Sequence, residues 1–312
     1  MKQLYYFIPW VISGLILLVS CGEDSLSPNQ PEKNIFLEPY GITGEELALQ
    51  KSFFETTGSY LLFHDLLDKR YLGRDAEGKE VYEDVMLDLT YAMLSATEDA
   101  FEFDYLATVN EKRAAADFIK EKLLPSLKEN IRPYSFFLVN KIDHYEKSGG
   151  NYVLRKLQVY SGWRATAVAV EGVNEMTEAA QVAYKKELLR SIVNKSISNV
   201  DQSVFGEFYA VSSRYYANYS MNSTVDFPEL TYIGFQETGL LQVYAYNPPG
   251  TNPSFPNGFV NFPAASIDLT NYINLLFTKT LQEVEQENAI FPLVIKKYKI
   301  LKGVIEELGV LL

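Results

Sequence analysis

Apolar positions along this chain recur in two rhythms, and the rhythm changes from segment to segment. Thr43-Gly44-Glu45-Glu46 has the T-x-x-E spacing of a capping box, and Leu47, Leu49, Phe53 and Phe54 follow it. That pattern predicts a helix over 44–57. Leu61 to Leu72 suits either a strand or a helix, and Arg74 to Lys79 reads as a charged turn around Gly78. Phe101-Glu102-Phe103-Asp104-Tyr105 alternates with period two, as a half-buried strand does. Asn110 is placed to cap a helix running to Asn130, with Pro125 interrupting or kinking its latter part.

Two strands are expected next, Tyr134 to Ile142 and Asn151 to Tyr160, joined as a hairpin through Ser148-Gly149-Gly150. Trp163 to Val170 offers a further strand. Asn174 is placed to cap a long amphipathic helix with Met176, Ala179, Val182, Ala183 and Leu189 on its apolar side, and a second helix is expected over 202–217. Val225 to Asn261 contains five prolines and is rich in Gly, Asn and Tyr. It reads as a long loop, and such loops are often functional. Leu269 to Thr280 and Pro292 to Leu308 close the chain as helices.

Before residue 35 the pattern is of another kind. Lys2 is followed by an uncharged run, Phe7 to Ser20, shorter than the ~20 residues a spanning helix needs. Leu18-Val19-Ser20-Cys21 then resembles a bacterial lipobox, which implies a lipidated Cys21 at the mature N-terminus. The expected organisation is a leader over 1–20, a flexible tether over 21–34 and a single domain over 35–312. The acidic Glu23 and Asp24 resemble a surface-export signal of Bacteroidota lipoproteins. An exported protein, anchored by lipid at the outer membrane or cell surface, is therefore expected.

Composition narrows the classes. A hydrophobic fraction of 47% with 14% aromatic residues argues for a folded protein. A net charge of −12 argues against nucleic acid as a partner and against electrostatic adhesion to anionic lipid. Cys21 is the only cysteine, so no disulfide forms within a monomer.

Familiar catalytic motifs are missing. The two histidines, His64 and His144, are far apart and outside H-x-x-x-H. His64 is expected at a hydrogen-bonded core or edge position, and His144 in solvent after a strand. No G-x-S-x-G elbow, P-loop or G-x-G-x-x-G fingerprint occurs. Asp75, Glu77, Glu80, Glu83 and Asp84 lack EF-hand spacing and read as a solvated loop.

The element order from Asn110 onward resembles a family of Bacteroidota lipoproteins described as zinc-binding metallopeptidases and associated with substrate import. In that family an H-E-F-x-H helix follows a strand hairpin. A long loop then leads to G-F-V-S and an E-D-F-A-E helix. Gly258-Phe259-Val260-Asn261 matches the G-F-V-S step, and Ser266 to Asn271 occupies the start of the acidic helix, where Asp268 persists. Val204 to Ala210 occupies the place of the zinc helix, with Gly206 and Ala210 at the ligand positions and Glu207 between them.

The resemblance implies an α+β, zincin-like fold with a small sheet packed on helices and a mostly helical C-terminal half. Zinc is the family's cofactor, but glycine and alanine side chains donate no lone pair, so no cofactor is expected here. The implied function is a noncatalytic binding or accessory component of nutrient import, a pseudo-metallopeptidase. Its partners would be the membrane, through Cys21, an outer-membrane transporter complex and a peptide or glycan ligand. Tyr232, Phe235, Tyr244 and Tyr246 of the long loop are the candidate binding faces. One alternative is a carboxylate-dependent hydrolase pairing Glu207 with Asp268. The other is a residual metallohydrolase, active on peptide or glycan, using His64 or His144.

Overall fold

Phe136-Phe137-Leu138-Val139 is apolar on both alternating faces, and the computed structural model buries all four residues, with Ser135 before them, in one strand. The structure describes residues 33–90, 100–148, 151–230 and 234–312. The leader, Cys21, most of the tether, Tyr232 and the Gly149-Gly150 turn lie outside the described residues.

In chain order, α1 (Gly44–Thr57) leads to β1 (Tyr60–Leu62), and β2 (Leu66–Arg74) and β3 (Glu80–Met86) form a hairpin. Then come β4 (Ala100–Asp104), α2 (Val109–Phe118), β5 (Ser135–Val139), β6 (Lys141–Ser148), β7 (Asn151–Leu157), β8 (Val159–Ser161) and β9 (Thr166–Ala169). The remainder is α3 (Glu178–Ile197), the short turns α4 (Gly206–Ala210) and α5 (Ser223–Asp226), and strands β10 (Tyr219–Ser220), β11 (Ala245–Asn247) and β12 (Phe259–Asn261). Helices α6 (Ala265–Thr278), α7 (Leu281–Glu287) and α8 (Pro292–Leu308) end the chain.

This is a mixed α+β architecture with four small sheets among the described residues. The central one has the order β1-β5-β9-β8, with β1, β5 and β9 parallel and β8 antiparallel. Period-two alternation divides β5 between two cores. Phe136 and Leu138 join the large helix-facing cluster, while Phe137 and Val139 join a second cluster with Leu62, Leu67, Ile142 and Ala167. Full burial of each such side chain stabilises by roughly 1.5–3 kcal/mol.

Several expectations are corrected. Tyr134 to Ile142 is not one strand. At Asn140 the chain leaves the central sheet, because its amide donates to the Asp104 carbonyl at 2.6 Å and its side chain to the Tyr105 carbonyl at 3.1 Å. The expected hairpin is therefore β6–β7, and Tyr160 falls in β8. Strand β4 does alternate and pairs with β6. Helix α1 matches its expected bounds, yet Thr43 makes no side-chain cap bond. Glu46, the other half of the expected capping box, instead accepts from Lys112 Nζ at 2.7 Å.

The helix expected from Asn110 to Asn130 is capped by Thr108, with Glu111 completing a capping box. It ends at Phe118, widens to a π turn over Ile119–Leu123 and tightens to a 3-10 turn over Leu124–Ser126. Pro125 has no amide hydrogen and its ring would clash with the carbonyl four residues back, so the α pattern cannot pass it. Thr177, not Asn174, caps α3. Its buried side carries Tyr184, Leu188, Leu189, Ile192 and Val193, whereas Ala179, Val182 and Ala183 are exposed. The acidic cluster is solvated throughout, but only Asp75 and Glu77 lie in the turn. Glu80, Glu83 and Asp84 lie on β3 opposite Arg74, Arg70 and Lys69 of β2, an arrangement of surface ion pairs.

Candidate functional site

The single turn α4 is set by two phenylalanines three residues apart. Phe205 and Phe208 are fully buried, so the intervening Gly206 and Glu207 turn outward. A helix over 202–217 does not form. Asp201 caps a 3-10 turn at Gln202–Phe205, and the chain leaves the helical path after Ala210. Adjacent tyrosines then go to separate places. Tyr215 packs with Phe227 and Phe262, Tyr216 reaches the Asp268 carboxylate, and Ala217 adopts φ +53°.

Gly206, Glu207 and Ala210 are all exposed on the outer side of this turn. Asp268, in the first turn of α6, is 1% exposed. The two carboxylates singled out in the sequence are therefore not brought to one surface. A sealed carboxylate and a solvent-facing one have no common substrate to share.

Asp268 instead faces Lys297, a residue that sequence reasoning missed. Lys297 is fully buried on α8, and its ammonium donates to the Asp268 carboxylate. It also donates to Ser212 Oγ at 3.1 Å and to Tyr216 Oη at 3.1 Å, so its three hydrogens all have acceptors. Tyr216 Oη in turn donates to Asp268 Oδ2 at 2.7 Å, and Ser212 Oγ donates to the Thr238 carbonyl at 2.8 Å. The rings of Phe208 and Tyr272 lie 4.3 Å and 4.8 Å from the ammonium, within cation–π range. Gly239 closes the cluster in a left-handed conformation (φ +77°), where a Cβ would stand 3.2 Å from Lys297 Cδ and from Ser212 Oγ.

Burial pushes the Asp268 carboxyl up and the Lys297 ammonium down, and their mutual attraction opposes both shifts. Tyr216 and Tyr272 are held well above the usual tyrosine range, by burial first and then by the Asp268 charge. Chemically the cluster is a satisfied internal ion pair. Its one incomplete atom is Asp268 Oδ1, which is buried without a partner. A signal for Lys297 was present in the sequence, a lysine within the apolar stripe Val294, Tyr298, Leu301, Ile305 of α8.

The residues do not fit zinc. Gly206 and Ala210 offer no donors, and Asp268 is committed to an ammonium on the inner side of the turn. Among the described residues no group of three or more His, Cys, Asp or Glu side chains is placed to hold a metal ion. His64 lies half-exposed at an edge beside Lys112 and Glu46, and burial followed by the Lys112 charge lowers its pKa. His144 is not solvated. It belongs to β6, is 8% exposed and stacks on Phe101 with centroids 4.7 Å apart.

The long segment after Val225 is partly ordered by strands. Strands β11 and β12 pair with each other, β12 also pairs with β10, and Phe227, Leu230, Leu240, Val260 and Phe262 fill a third small core. Phe235 and Tyr246 pack edge-to-face at 5.8 Å, which uses those two faces internally. Tyr244 is exposed. No helix among the described residues is long and apolar enough to cross a membrane. No protein-family model, curated protein or solved structure matches the chain.

Proposed function

We propose that the chain is a noncatalytic binding or accessory component of nutrient import. It is held at the outer membrane or cell surface by lipid on Cys21 and is built on a zincin-like scaffold without a zinc site. The observation that carries this reading is the Lys297–Asp268 cluster. The carboxylate retained at the start of the acidic helix serves a buried ammonium on the inner side of α4, and the outward positions where the resemblance puts zinc ligands, Gly206 and Ala210, carry no donor. A cation supplied by the chain itself balances the acid, so the scaffold keeps its packing without hydrolytic chemistry.

The test is recovery of the native lipidated protein from its own membranes under gentle solubilisation, with partners identified by mass spectrometry. Recovery of an outer-membrane transporter in stoichiometric amount is the expected result. Recovery of the protein alone overturns the accessory-subunit reading. Labelling of Cys21 by a fatty-acid analogue, and its loss in Cys21→Ser, checks the anchor separately.

A further inference from the structure

Away from the Lys297 cluster, a cavity of about 420 Å³ opens between the β8–β9 turn, the C-terminal end of α3, the Asn130–Tyr134 segment and the last turn of α8. That is within the size range of small-molecule sites. Among the described residues its lining includes Arg132, Arg164 and Lys195 and no aspartate or glutamate. On a chain of net charge −12, an all-cationic lining concentrates positive potential in one concavity.

The three cations are differently held. Arg132 is fixed by donating to the Leu127 carbonyl at 3.1 Å and the Thr57 carbonyl at 3.0 Å, and among the described residues it pairs with no carboxylate. Arg164 is exposed, and among the described residues neither it nor Lys195 forms an ion pair. Lys195 Nζ sits 4.1 Å over the Trp163 ring, and burial lowers its pKa. An ammonium that has lost water to an aromatic face gains most from an anion. Among the described residues the Lys195 ammonium makes no hydrogen bond to the carbonyls at the end of α3. Those of Ile197 and Val200 accept from the Gln202 amide at 3.2 Å, and that of Lys195 accepts from Ser198 Oγ at 2.6 Å.

Two large aromatic surfaces complete the cavity. Trp163 is 55% exposed and Tyr134 is 51% exposed, so both rings offer open faces to the cavity. Tyr134 is steadied from behind by Phe36 and Tyr60, with centroids at 5.1 Å and 4.9 Å. Gly162 brings the β8–β9 turn against the Leu89 carbonyl, where a Cβ would stand at 2.3 Å, so the turn that presents Trp163 is rigidly seated.

We propose that this cavity binds a small ring compound bearing a carboxylate, the acid group lying between Arg164 and Lys195 and the ring body against Trp163 and Tyr134. A hexuronic acid and an aromatic carboxylic acid share that chemistry. The site stands independently of the import reading, since none of its lining residues belongs to the Lys297 cluster.

The chain has two tryptophans, Trp10 and Trp163, so the full-length Trp10→Phe protein in detergent reports Trp163 fluorescence alone. It is titrated with sodium glucuronate, and in parallel by calorimetry with benzoate, glucose and inorganic phosphate. A saturable response to glucuronate or benzoate is expected, with the stronger of the two identifying the ring body. Glucose should be silent. Binding should weaken with added salt and fall about tenfold in Arg164→Gln and in Lys195→Gln, a loss typical of one charge-assisted hydrogen bond. No saturable response to either carboxylate overturns the proposal. So does glucose binding as well as glucuronate, phosphate matching both carboxylates, or unchanged affinity in both variants while circular dichroism shows them folded.

Discussion

Two lysines in this molecule lie over aromatic rings, and they do opposite things. Lys297 is sealed among Phe208, Tyr272 and Tyr216 and is matched by Asp268, two hydroxyls and no solvent. Lys195 lies over Trp163 at the rim of an open cavity whose described lining includes no carboxylate. The same side chain on the same kind of surface becomes a strut in one place and a ligand-facing group in the other. What separates them is the presence of a counter-charge and the absence of water.

The largest effect that would break this contrast comes from Asp268→Leu alone. It leaves an uncompensated buried ammonium and is expected to destabilise by about 3–5 kcal/mol in urea unfolding. The double variant Asp268→Leu/Lys297→Met should recover most of that loss, since apolar replacement of a whole buried pair is often neutral or better. A double variant as unstable as the single one would show that the charges are not coupled. Next in size is Tyr216→Phe, which removes a donor from Asp268 Oδ2 and an acceptor from Lys297 and should cost about 1–3 kcal/mol by the same measurement. Lys195→Gln, by contrast, should change stability by no more than about 0.5–1 kcal/mol, because its cation–π contact is at a partly exposed site.

A smaller pair of variants sharpens the same distinction at helix ends. Thr280 caps α7 with Glu283 completing the box, whereas Thr43 makes no cap bond. Thr280→Ala should cost about 1 kcal/mol and Thr43→Ala close to nothing in thermal melts. Hydrogen bonds from the Thr280 backbone and side chain hold the Glu283 carboxyl below its usual 4.5. A depressed carboxyl favours the folded state above its unfolded pKa, and that contribution disappears as pH falls through the lower folded value. The Thr280→Ala deficit should therefore shrink on acidification below about pH 4.5, which melts at stepped pH would read.

Legibility in the sequence followed the reach of the interactions. Helix α1 and helix α8 were readable to their bounds, because local periodicity and a proline at the start of α8 define them. The division of Tyr134 to Ile142 into β5 and β6 was not, because the break depends on Asn140 binding the backbone of Asp104 and Tyr105. Asp268 was noticed through a motif resemblance, but its true partner lies 29 residues away on another helix. Lys297 was legible in principle as a charge on an apolar stripe, and nothing in spacing alone could add Ser212 and Tyr216 to it. The described aromatic residues of the long loop divided according to packing, which sequence cannot foresee. Phe235 and Tyr246 turn to each other, Tyr244 faces solvent, and Tyr232 lies outside the described residues.

Strand β5 has one face in each of the two larger clusters, so neither cluster can loosen without stripping one side of the same five residues. The two clusters are thereby tied into a single cooperative unit. Amide protons of Phe136 to Val139 should exchange with deuterium only through global unfolding, and their exchange rates would give the full stability of the domain. The β2–β3 hairpin, exposed along most of its length, would exchange through local opening long before that limit is reached.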